Sequence, residues 1–202
     1  MAKLKAPLLS LGASGALGKA IVYFGWKGLD CAREYVVPAN PKSTNQTTQR
    51  GYLTEVVEDV HNAEGDASHP MTEADKTAYA ALGSLQATPR TWFNTVVKQG
   101  IDQLVAGLSP CVYSHGISNE AVDQLTPDIW FMTELPTAGN FHYGTSKSAL
   151  NLSTAATFPV ANHATKDIAG LVTGTKYYWQ FRATAPPAAV GCNSGIYHGT
   201  PD

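Results

Sequence analysis

The stretch GASGALGKAIVYFGWKGLDCAREYVVPANPKSTNQTTQR, residues 12–50, decides how the rest of the chain is read. Ile21, Tyr23 and Gly25 alternate with Val22, Phe24 and Trp26, the period-2 pattern of a strand partly covered on both faces. Lys27-Gly28 supplies a tight turn, because glycine accepts the positive φ that a two-residue connection needs. Cys31 to Val37 returns as a second strand, with Arg33 and Tyr35 on one face and Glu34 and Val36 on the other. Pro38 and Pro41 end the pairing, since proline has no N–H to give a ladder. An N-terminal β-hairpin followed by helices is the expectation.

Downstream, Ser43 or Thr44 caps a helix running to about Asn62, with Leu53, Val56, Val57 and Val60 on one face. Thr72 and Asp75 have the spacing of a capping box and open a short helix carrying Tyr79 and Leu82. Thr88 followed by Pro89 reads as the start of a third helix, whose apolar face is Trp92, Phe93, Val96, Val97, Ile101, Leu104 and Val105. From about Ser109 the pattern changes to short β runs: 128–133, 140–145, 175–184 and 194–199. In the longest of these, Tyr177, Trp179 and Phe181 share one face. The fold class expected is therefore α+β, with an α/β module over 1–108 and an all-β region over 109–202.

Composition narrows the function. The chain has 202 residues, of which 44% are hydrophobic, enough for a real core. Only 15% are charged, against roughly 25% in ordinary soluble domains. A thinly charged surface suits a subunit covered by neighbours, and suits equally a β-rich fold with Thr, Ser and Asn outside. The net charge is −2 and the 14 Lys and Arg are scattered, so no basic stripe follows a phosphate backbone and direct nucleic-acid binding is not expected. Cys31, Cys111 and Cys192 lack CxxC spacing and read as buried thiols of a protein made in a reducing compartment. The segment MAKLKAPLLSLG is too short and too broken for a signal-peptide core, and nothing after it approaches a membrane span.

Two resemblances add to this. Gly18, Lys19, Trp26-Lys27-Gly28, Arg33, Pro38-Ala39-Asn40-Pro41, Gln46 and Arg50 resemble the N-terminal module of a phage and prophage protein family, extending more weakly to about Val97. The run IWFMTE, FHYGTS, LVTGTKYYWQFRAT and SGIYHGTP resembles a fibronectin type III-like domain over about 109–202. That resemblance implies a β-sandwich whose core holds Trp130, Tyr143, Leu171, Tyr177 and Trp179. Leu171, Gly174, Thr175 and Tyr177 match its tyrosine-corner turn, with Thr173 where proline is usual.

Catalytic readings compete with this one. Gly12 to Gly18 resembles the cofactor loop of short-chain dehydrogenases, and Tyr143 and Lys147 have their Tyr-x-x-x-Lys spacing. Against that reading, only Thr133 stands near the place of the partner serine, and only Glu34 near that of the ribose ligand. The residues after Gly18 are β-branched and aromatic, which suits a strand better than a phosphate-binding helix. A phosphate loop at Ala13 to Ala20 lacks the Ser or Thr after Gly18-Lys19. The six histidines have no metal-motif spacing.

The expectation is a non-catalytic virion structural protein needing no cofactor or metal, assembled in the host cytoplasm. An auxiliary capsid (decoration) protein comes first, a tail or neck component second. An adhesion or glycan-binding module, taking a host-surface glycan on the sandwich loops, is the competitor. Partners would be other virion subunits and further copies of the chain, with no membrane. Leu8, Leu9, Leu11, Trp26, Arg33, Tyr35 and Asn40 are the expected assembly contacts, because the N-terminal leucines need cover and Trp, Arg and Tyr favour interface centres.

Overall fold

The computed structural model describes residues 2–4, 14–37, 40 and 42–202, the first three as backbone only. Among these residues the chain forms three helices and three antiparallel sheets, a mixed α+β architecture. It divides into two compact units, Met1–Ser43 and Thr44–Asp202. The break expected at 108/109 falls inside the second unit.

The first unit is a four-stranded sheet of β1 (Ala2–Leu4), β2 (Gly15–Leu17), β3 (Ile21–Trp26) and β4 (Leu29–Glu34), in the order β1-β4-β3-β2. The turn between β3 and β4 has φ 50° at Lys27 and 76° at Gly28. Two successive positive φ values match the twist of the flanking strands, and glycine carries the second at no steric cost. Cys31 is the one fully buried apolar residue among those described in this unit.

The second unit opens with α1 (Thr44–Glu64), α2 (Glu73–Ser84) and α3 (Trp92–Val105). The capping box of α2 is present as the sequence indicates, Thr72 and Asp75 each bonding the other's backbone. The third helix starts later than Thr88-Pro89 implies. Arg90 N–H donates to Gly83 O at 3.3 Å, which spends the preceding residues on the turn out of α2, and Thr91 becomes the cap of α3. Of the α1 face, Val56 and Val60 are fully buried while Leu53 is 46% exposed, so only the second half of the helix packs. A side chain at Gly100 would meet Val56 Cγ1 at 2.6 Å, so glycine sets the close crossing of α1 and α3.

The β region contributes two sheets. One holds β5 (Tyr113–Ala121), β6 (Gln124–Phe131), β9 (Thr157–Val160), β10 (His163–Thr165) and β11 (Ile168–Ala169). The other has the order β13-β12-β7-β8, from β7 (Ala138–Gly144), β8 (Leu152–Ala155), β12 (Tyr177–Ala185) and β13 (Tyr197–Gly199). Leu125, Ile129 and Phe131 from the first sheet meet Phe141, Trp179 and Phe181 from the second in one core. Phe181 anchors it, with ring centroids 5.3–5.6 Å from Phe131, Phe141 and Tyr113.

Asp75 ties helices to sheets. Its carboxylate is fully buried and accepts from Thr72 N–H (2.6 Å) and hydroxyl (2.8 Å), His115 N–H (3.0 Å), Gly116 N–H (2.8 Å) and the Tyr197 hydroxyl (2.7 Å). The two β5 amides converge on it because the strand bulges there, with His115 at φ 49°. Gly116 is required as well, since a Cβ would strike the Tyr197 ring. A buried carboxylate is tolerated when its lone pairs are this fully used. Tyr79 adds a second tie, its hydroxyl accepting Tyr113 N–H at 3.2 Å.

The cysteines differ from the sequence expectation. Cys111 and Cys192 form a disulfide, and Cys31 alone is a buried thiol. Eighty-one positions separate the pair in sequence, so only the packing of β5 against the β12–β13 link brings them to a Cα–Cα distance of 5.7 Å.

Candidate assembly surface

The sheet of the first unit carries two of the residues expected to make assembly contacts, Trp26 and Arg33. Register pairs Trp26 with Leu29, Phe24 with Cys31 and Val22 with Arg33, so these six share one face. Ile21, Tyr23, Gly25, Asp30, Ala32 and Glu34 form the other, more polar face. The apolar face is open at its turn end, where Trp26 is 55% and Leu29 46% exposed. At the opposite end Arg33 is exposed and lies 5.5 Å from the centre of the Phe24 ring, a cation–π contact that holds the guanidinium against the face. Trp26 and Arg33 thus stand at the two ends of one surface. Tyr35 lies just past β4, half-buried, its N–H donating to Ala20 O at 2.9 Å. Asn40 is exposed. Leu8, Leu9 and Leu11, with Pro38, Ala39 and Pro41, lie outside the described residues.

The described part of the glycine-rich lead forms β2, and the β-branched Ile21 and Val22 after it continue as β3, not as a helix. Tyr143 sits in β7, and Lys147 Nζ donates to Ser84 Oγ at 3.1 Å.

Of the expected sandwich-core residues, Leu171, Tyr177 and Trp179 are buried together and Tyr143 packs against them half-buried. The Tyr177 hydroxyl accepts Val172 N–H at 3.2 Å, and Gly174 takes φ 72° in the turn between them. Trp130 is a correction. Leu125, Ile129 and Phe131 point inward along β6, so the alternation of the strand turns Trp130 outward. There it lies between two imidazoles, stacked 3.4 Å from His69 and 4.4 Å from His163 between ring centroids. His163 Nε2 is 2.7 Å from Asp128 Oδ2, which fixes the outer ring. The stack clasps the loop between α1 and α2 to the outer face of the sheet. Alternation sets Ile129 and Phe131 on the face opposite Trp130, and the second sheet decides that theirs is the inward one.

In the second unit an open groove of about 540 Å³ runs between α2, β5 and β13. Ala74, Ala78, Ile117, Tyr178 and His198 line it. Burial first, then the charge of Lys176, lowers the His198 pKa. Among the described residues no three His, Cys, Asp or Glu side chains gather as metal ligands, and no helix is long and apolar enough to cross a membrane. Set against protein-family models, curated proteins and solved structures, the chain matches none.

Proposed function

We propose that the chain is a non-catalytic structural protein of a phage virion, attached through its N-terminal sheet and displaying a fibronectin type III-like sandwich. An auxiliary capsid protein is the first reading and a tail or neck component the second. The observation that carries the proposal is the β3–β4 face, where Trp26, Leu29 and Arg33 are exposed on a sheet whose described residues bury only Cys31. An apolar sheet face of this kind is stabilised by a second layer, and a neighbouring subunit is one source of it. Trp and Arg are also the residue types that dominate interface energetics. The sandwich half of the reading is supported by two antiparallel sheets sharing one core and by the Tyr177 turn.

The test is incorporation. Particles would be assembled with the full chain and with a Trp26→Asp, Leu29→Asp double variant, then purified by sedimentation. Wild type should co-sediment with particles, while the variant stays soluble and folded. A wild-type chain that never accompanies particles, or a variant that enters them as well as wild type, would overturn the proposal.

A further inference from the structure

Cys111 lies between α3 and β5, and Cys192 in the link from β12 to β13. Both are buried, at 6% and 0% exposure. Hydrogen bonds independent of sulfur hold each of them in place. Beside Cys111, Val112 N–H donates to Thr133 Oγ1 (2.9 Å) and the Thr133 hydroxyl donates to Pro110 O (2.8 Å). Beside it too, Met132 N–H donates to Val112 O (3.0 Å). At Cys192, the N–H donates to Ala189 O and the carbonyl accepts from Ala183 N–H, both at 3.1 Å. The Tyr113 hydroxyl donates to the same carbonyl at 3.2 Å and so joins the two segments directly, two residues from Cys111. A chain with free thiols can make every one of these bonds.

We propose that the Cys111–Cys192 disulfide is a lock closed after folding. The chain reaches this fold as a dithiol and is then sealed by a small-molecule disulfide such as oxidised glutathione. One cysteine thiolate attacks the reagent's S–S bond, releasing one glutathione thiolate and leaving a mixed disulfide. The second cysteine thiolate displaces the other glutathione and forms the Cys111–Cys192 bond. The two glutathiones leave with the two electrons and take up the two thiol protons. Because both cysteines are buried, sealing and reduction each require local opening around the bond, so the closed lock resists mild reductant in the folded protein. The lock stabilises by restricting the unfolded chain, a large effect when the cysteines stand 81 positions apart.

The experiment uses the full chain made in a reducing cytoplasm and alkylated on lysis. It should carry three free thiols and a folded near-UV circular dichroism spectrum. Oxidised glutathione should then protect Cys111 and Cys192 from alkylation, leave Cys31 free, and raise Tm by roughly 10 °C. A Cys111→Ser, Cys192→Ser double variant should fold, melt like the reduced chain, and ignore the oxidant. An unfolded reduced chain or double variant would overturn the proposal, since the bond would then be needed to reach the fold. Equal melting in both redox states, or pairing through Cys31, would overturn it as well.

Discussion

The sheet in Met1–Ser43 and the sheets in Thr44–Asp202 are made of similar sequence, alternating aromatic and β-branched residues between glycine turns, yet they reach different ends. In the second unit each inward face meets another, so Trp179, Phe141 and Phe181 are fully buried. In the first, the same kind of residue at Trp26 stays more than half exposed. Alternation makes a strand with a greasy side; it does not supply the second layer that buries that side. Among the described residues the buried core therefore lies almost wholly in the second unit, while the first leaves an apolar strand face exposed.

Truncation tests that contrast most severely. A 44–202 fragment should fold cooperatively with nearly the melting temperature of the full chain. A 109–202 fragment should not fold, although it contains every β strand of the second unit. Without Asp75 and Tyr79 the amides of Tyr113, His115 and Gly116 and the Tyr197 hydroxyl lose their partners, and the bottom of the helix–sheet core is opened. Circular dichroism and urea titration of the two fragments decide it, and a folded 109–202 would show that the helices are accessory.

Alkali should act on the second unit through its buried tyrosines. Burial raises the pKa values of Tyr79, Tyr113 and Tyr197 above the ordinary 10, because a phenolate cannot be solvated there. A raised folded pKa means the folded state holds its proton while the unfolded state releases it. The contribution of these tyrosines is therefore intact below pH 10 and is lost as pH climbs towards their folded values. With three such protons the slope reaches about 4 kcal/mol per pH unit above pH 10. Urea midpoints at pH 9, 10 and 11 measure it; a flat profile would mean the hydroxyls reach water.

The tryptophans grade the remaining effects. Trp179→Ala should cost about 3–5 kcal/mol by opening a cavity in the β core. Trp130→Ala should cost only about 1–2 kcal/mol, since the ring sits between two histidines on the outer face. Trp26→Ala should change the melting of the 44–202 region by less than about 0.5 kcal/mol while weakening association. Equal costs at Trp130 and Trp179 would show that the outer stack is as well packed as the core.

Local chemistry is legible from the residues alone: the Lys27-Gly28 turn, the capping box at Thr72 and Asp75, and the shared face of Tyr177, Trp179 and Phe181. Each is set by neighbours within a few positions, through φ preference, a short hydrogen bond or a period of two. Residues 113–121 do not read as a strand, because the bulge at His115-Gly116 interrupts the alternation that marks one. Other features needed the tertiary structure. Which of two tryptophans is core, which two of three cysteines are bonded, and why Asp75 is buried all depend on partners 40 to 122 positions away for the carboxylate and 81 for the disulfide. A sequence states what each residue can offer, and only the packing of one element on another determines what it meets.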